Sequence, residues 1–198
     1  LNPAVASLIR QGNPQARVDV LRNGVDLEEM QFSRVGNQKA ICLGKIQSRK
    51  RQRELASALS EKGVPVDFVG PVGDEDLADE HQNLKLGEWD RETINHRLTE
   101  YSVLVLVSHA EGQPLVVAEA LAAGLSVVVS PGAAQNLDIS LPFIFLVEDP
   151  SQWAEATAEA IRTNSHHRQE ARSYAENHFG MQQIVSDYVT RLRSWLGG

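Results

Sequence analysis

The feature that most constrains this 198-residue chain is an alternation of two kinds of segment. Short runs rich in Val, Ile and Leu, several of them apolar at consecutive positions, are separated by longer stretches with helical spacing. A strand that is apolar on both faces needs cover on both, and a parallel sheet flanked by helices supplies it. Residues 18–21, 40–43, 66–69, 103–107, 127–129 and 143–146 read as the strands. Helices are expected over 4–10, 51–62, 91–100, 114–123, 152–163, 169–177 and 182–196. The expected fold class is therefore α/β, a Rossmann-like parallel sheet with helices on both faces. Gly24, Gly44, Gly70 and Gly87 each lie at or just beyond an apolar run, which is the rim where doubly wound sheets take their ligands. In the last helix Ile184, Tyr188, Leu192 and Trp195 fall on one stripe, which needs a partner surface.

Composition narrows the function classes. Hydrophobic residues at 42% and charged residues at 23% exclude disorder and fibrous repeats. A net charge of −7 argues against nucleic acid as a partner, because neutralising phosphates along a duplex takes a basic surface. The charge is uneven: residues 1–60 carry ten Lys or Arg against five Asp or Glu, enough to meet a smaller anion. The single cysteine, Cys42, lies in an apolar run and reads as a buried small hydrophobe, and no histidine spacing suggests a metal site. No apolar run approaches the roughly 20 residues of a membrane span, and the first residues lack a secretory signature. A cytoplasmic setting is expected. Residues 71–82 read as an acidic surface loop or short helix, and residues 1–17 as a linker or the tail of a preceding domain.

The chemistry concentrates between Ser108 and Gly124. An apolar strand leads into a loop containing Glu111 and Gly112, and then into a helix with Pro114 near its first turn and Gly124 at its close. The start of that helix, Gly112-Gln113-Pro114, offers no Ser, Thr, Asp or Asn to cap the unpaired first-turn amides. Free amides and the positive end of the helix dipole suit a phosphate or a sugar hydroxyl. Glu119 is the only ionisable residue between Pro114 and Gly124 on a helix that is otherwise apolar nearly all round. A carboxylate buried there is costly unless it is paired, hydrogen-bonded or used. Ribose hydroxyls would satisfy it, and Glu111 at the carboxyl edge of the strand faces the same crevice.

These residues resemble a known family. Ser108, Glu111-Gly112-x-Pro114-Leu115 and Glu119-Ala120-x-Ala122-x-Gly124 are similar to the E-x7-E segment of retaining GT-B glycosyltransferases of the family 4 (group 1) type. Asn23-Gly24-Val25-Asp26 resembles the family's NGVD turn, Gly44-Lys45 with Lys50 resembles its G-R-x4-K phosphate segment, and Phe68-Val69-Gly70 and Gly87 match later strand ends, so the likeness runs from about residue 18 to the end. It implies that residues 18–198 are the donor-binding domain of such an enzyme, including a C-terminal helix that packs across a domain interface. The missing partner is its N-terminal GT-B domain, without which this chain binds donor and transfers little.

By the same resemblance the donor is a UDP-, GDP- or ADP-sugar and no metal or other cofactor is required. Glu111 is the catalytic group beside the donor sugar. Lys45 and Lys50, with Gly44, hold the diphosphate; Gly112, Gln113, Pro114 and Leu115 touch the donor by their backbone and Glu119 the ribose, while Trp89 or the backbone beside it borders the base or Trp89 is a plain packing residue. Lys45 departs from the usual arginine and Arg51 from the usual glycine, while Arg49, Arg51 and Arg53 either add positive charge or form a solvated helix start. Asn23-Gly24 reads as turn chemistry, and Ser108 as orienting the Glu111 loop or capping a strand. Two other readings remain open: a non-catalytic nucleotide-sugar binding module, and a GT-B nucleotide-sugar epimerase. Peripheral membrane contact of a parent enzyme is also left open.

Overall fold

The structure is a computed structural model that describes residues 3–196. Five strands, β1 (Ala40–Leu43), β2 (Val66–Val69), β3 (Val103–Leu106), β4 (Ser126–Val129) and β5 (Ile144–Leu146), form one parallel sheet in the order β2-β1-β3-β4-β5. The helices are α1 (Pro3–Gly12), α2 (Gln52–Glu61), α3 (Arg91–Arg97), α4 (Leu115–Ala122), α5 (Trp153–Phe179) and α6 (Met181–Trp195).

The consecutive apolar positions are explained by two cores, one on each face. Along a strand successive side chains point to opposite faces. Ala40 and Cys42 of β1 and Val103 and Val105 of β3 therefore meet Leu55 and Leu59 of α2 and Trp153 of α5. Ile41 and Leu43, with Leu104 and Leu106, meet α4 and the second half of α5. Cys42 is buried, and burial pushes its thiol up to about 12, so it behaves as the small hydrophobe expected.

Two expectations need correction. Residues 18–21 form no strand. Their carbonyls are met by side chains: that of Val18 accepts from Arg10, and that of Val20 from Arg191 of α6 at 3.3 Å. The two helices expected over 152–163 and 169–177 are one, α5, running unbroken through the polar stretch between them. That stretch stays helical because two of its polar residues, Asn164 and Arg168, are buried and bonded: Asn164 donates to the Gly124 carbonyl at 3.0 Å and to Ser126 Oγ at 3.2 Å. Residues 71–82 combine the two expected forms, a surface connection that leads into a short 3₁₀ helix, Asp79–Leu84, in which His81 is buried against Ser57.

Arg168 of α5, 1% exposed, binds much of the fold together. Its guanidinium donates to the carbonyls of Ser33 (2.8 Å), Tyr101 (2.8 Å), Thr99 (2.7 Å) and Ala123 (3.2 Å), and to Asn164 Oδ1 (2.8 Å). Those of Thr99 and Ala123 stand at helix C-termini, where the partial negative charge favours a cation. Burial lowers the guanidinium to about 10, which leaves it charged at neutral pH. One turn on, Arg172 donates to the carbonyls of Leu27, Met30 and Ala122 and ties the 25–33 segment to the end of α4. By contrast α6 buries none of its residues, and Tyr188, Leu192, Trp195 and the following Leu196 are exposed.

Replacing Arg168 by Met leaves several buried carbonyls without donors, each at a cost of about 1–3 kcal/mol, so the loss of unfolding free energy should be about 3 kcal/mol or more. Urea denaturation measures it. Arg162→Ala, which breaks only an exposed pair with Glu159, should leave the midpoint nearly unchanged.

Candidate functional site

β1 and β3 lie side by side, but the chain leaves them in opposite directions, through α2 to β2 on one side and through α4 to β4 on the other. Such a switch point leaves a crevice outside the carboxyl ends of the strands. Here it is a cleft of about 410 Å³. Two glycines let its floor close up. Gly44 and Gly70 end β1 and β2 at φ of 141° and 144°, a region side chains rarely adopt. A Cβ at Gly70 would stand 2.2 Å from the Gly44 carbonyl oxygen, and one at Gly44 would stand 3.0 Å from Lys50 Nζ.

One wall is the start of α4. Pro114 precedes the helix in an extended conformation, and no side chain caps it. Among the described residues neither the Leu115 nor the Val116 N–H meets an acceptor; the first bonded amide is that of Val117, which donates to the Pro114 carbonyl at 3.2 Å. Deeper along the helix, Glu119 is 5% exposed and lines the cleft. It is ion-paired with Arg91, the first residue of α3, which also lines the cleft.

The second acid, Glu111, sits on the loop after β3. Ser108 Oγ donates to its Oε1 at 2.7 Å, Arg49 Nη1 lies 3.1 Å from its Oε2, and Lys50 Nζ lies 3.4 Å from its Oε1. Burial works against ionisation of Glu111, yet Ser108, Lys50 and Arg49 outweigh it and hold the carboxyl below its usual value. Behind the acid the loop is fixed to the segment after β4. Ser130 Oγ donates to the Ser108 carbonyl at 2.5 Å, the Glu111 N–H to the Gly132 carbonyl at 3.2 Å, and a Cβ on Gly132 would collide with the His109 carbonyl at 2.5 Å.

Of the residues singled out in the sequence, Gly44, Lys50 and Glu111 line the cleft together with Pro114, Leu115 and Glu119. Trp89 lines it too, while also packing on Tyr101 and under Arg97, so it serves both as cleft wall and as core. Lys45 does not join them. Ile46 pairs with Val72 and turns inward, which sends Lys45 outward past Gly73 toward Asp74. Gly112 is exposed on the loop and does not line the cleft. The side chain of Gln113 is taken up by Asn23, whose N–H donates to Oε1 at 2.7 Å and whose amide donates to the Gln113 carbonyl at 3.1 Å. Asn23 is thus a brace for the α4 approach rather than turn chemistry alone. Of the three arginines only Arg49 reaches the site; Arg51 pairs with Glu54 over the Trp153 ring, and Arg53 is exposed. Ser108 orients Glu111, one of its two expected roles.

Arg91 escaped the sequence reading. The only signal for it was that a lone acid on an apolar helix demands a cation, and nothing in the spacing says which one. No group of three or more His, Cys, Asp or Glu is placed to hold a metal ion among the described residues. No described helix is long and apolar enough to cross a membrane.

The sequence profile described as "Glycosyl transferases group 1" matches residues 20–163, which include β1 to β5 and the whole cleft. The chain belongs to this glycosyltransferase family. It is 29% identical over 173 residues to the putative glycosyltransferase EpsF of Bacillus subtilis (strain 168), an alignment covering 73% of this chain and 44% of EpsF. Its fold matches HepE of Anabaena, crystallised with UDP and glucose, with a TM-score of 0.76 at 17% identity, over 98% of this chain and 62% of HepE. It also matches the C-terminal domain of LpcC, a glycosyl transferase group 1 family protein of Francisella tularensis, with a TM-score of 0.61 at 16% identity, over 80% of this chain and all of that one. The chain spans less than half of EpsF and about three fifths of HepE. The fold is that of one Rossmann-like half of the GT-B architecture.

Because the folded state holds the Glu111 carboxyl below its ordinary 4.5, its ionised form contributes stability at higher pH. That contribution is lost as pH falls below 4.5 and through the lowered value. Glu111→Gln should therefore lose less stability than the wild type over that acid range. Denaturant titrations of both proteins at stepped pH check this.

Proposed function

We propose that this chain is the donor-binding domain of a retaining, family 4 type glycosyltransferase, which transfers a sugar from a nucleotide-diphosphate sugar to an acceptor held by an N-terminal GT-B domain. The observation that carries the reading is the convergence, at one switch-point cleft, of Lys50, Glu111, the free first-turn amides of α4 and the buried Glu119. These groups suit the parts of such a donor in order. The diphosphate is anionic, and Lys50 with the Leu115 and Val116 amides offers it cationic and dipolar partners without a metal. Glu119 accepts from the ribose hydroxyls, and Trp89 borders the base.

In the reaction the bond between the anomeric carbon and the phosphate oxygen breaks, its electron pair leaving with the diphosphate while positive charge develops on the sugar. Glu111 is placed to steady that charge, and Lys50 the departing one. Glu111 is held ionised for this by Ser108, Arg49 and Lys50. Acceptor contacts are assigned to the other domain, so transfer by this chain alone is expected to be little or none. The exposed stripe of α6 is in keeping with a further domain packing there.

UDP, the nucleotide carried by HepE, is the first to test, with GDP and ADP beside it. At least one should raise the melting temperature at millimolar concentration, because a ligand selective for the folded state stabilises it by mass action. Glu119→Ala should weaken that nucleotide much more than inorganic pyrophosphate, and a chelator should leave binding intact. No response to any of the three, equal losses for nucleotide and pyrophosphate, or binding abolished by chelation would each contradict the proposal.

A further inference from the structure

The Glu119 carboxylate is not vacant in the free chain. Its Oε1 accepts from Arg91, while the rest of the group is buried among apolar residues of α4 and its neighbours. Glu119 and Arg91 line the same cleft. A ribose diol arriving there offers hydroxyl donors to the edge that the guanidinium occupies. The Arg91 side chain is 59% exposed, and this ion pair is the one polar contact its guanidinium makes among the described residues. It can swing into solvent without breaking anything else.

We propose that Arg91 is a specificity-determining strap, tying the start of α3 to α4 over the cleft and yielding Glu119 to the hydroxyls of an incoming ribonucleotide. This rests on the reading that Glu119 receives ribose. The strap keeps a buried carboxylate paired while the cleft is empty, which avoids the cost of an isolated charge. It also sets a threshold: a ligand without vicinal hydroxyls cannot replace the guanidinium, so the strap stays closed on it. Occupation of the cleft by free pyrophosphate or a deoxyribonucleotide would leave α3 and α4 tied.

The test is calorimetric titration of the wild type, Arg91→Ala and Arg91→Gln with three probes: the best-bound of UDP, GDP and ADP, its 2′,3′-dideoxy counterpart, and pyrophosphate. Both variants should bind the ribonucleotide roughly fivefold more tightly, the scale of losing a competing, partly exposed ion pair. Affinity for the dideoxy nucleotide and for pyrophosphate should not change. Unchanged or weaker ribonucleotide binding in both variants overturns the strap. If instead the wild type itself binds ribo- and dideoxynucleotide equally, the ribose role of Glu119 fails, and that result is independent of Arg91. Melting curves establish that each variant is folded, and Arg91→Gln, which keeps a neutral donor, serves where Arg91→Ala does not fold.

Discussion

The site depends on a constraint of topology: the connections leaving β1 and β3 cross the sheet in opposite directions, so the chain cannot fill the space outside their carboxyl ends. Lys50 and Glu111 reach that space from the segments that follow β1 and β3, Arg91 and the free amides from the starts of α3 and α4, and Glu119 from one turn further along α4. Gly70 lets the ends of β1 and β2 come together, and Gly44 leaves room for Lys50 to lie over the end of β1. The uncapped start of α4 then presents amides that the chain itself leaves without acceptors. A helix that carried a Ser or Asp cap would spend the same amides on its own side chain.

Electrostatics explains how an acidic protein keeps an anion site. The net charge is −7, yet the cleft gathers Arg49, Lys50 and Arg91 against two carboxylates, and the dipole of α4 adds its positive end. Each acid is paired in the free chain, Glu111 with Lys50 and Arg49, and Glu119 with Arg91. Lys50, the cation that would meet a bound anion, is therefore already ordered by Glu111, the acid that would meet its sugar. Further from the cleft, Arg168 and Arg172 perform the corresponding structural task, gathering carbonyls from the 27–33 segment, from residues 99–101 and from the end of α4 into a rigid support for that helix.

Much of this was legible in the sequence. The five sheet strands stand within a residue or so of their expected bounds, because two-sided burial forces short runs of consecutive apolar positions. The uncapped helix and its solitary acid were equally plain, since both are local patterns. What failed to show was whatever depends on partners distant in sequence. The run 18–21 has strand composition but meets arginine side chains instead of a neighbouring strand. The polar stretch 164–168 looks like a helix break, and becomes helix interior because Asn164 and Arg168 find buried acceptors 38 to 135 residues away. Lys45 carries the phosphate-segment pattern, but the inward turn of Ile46 directs it elsewhere, while Arg91, with no motif to mark it, enters the site by ion pairing alone.

The central claim is that the free amides of α4 and the residues after β1 receive the diphosphate of a nucleotide. Amide chemical-shift mapping on ¹⁵N-labelled protein reads those positions one by one. On addition of the nucleoside diphosphate the largest shifts are expected at Gly44, Lys50, Leu115 and Val116, with little change along α6. Shifts centred on α6 or on the 71–82 connection, with Leu115 and Val116 unmoved, would contradict it.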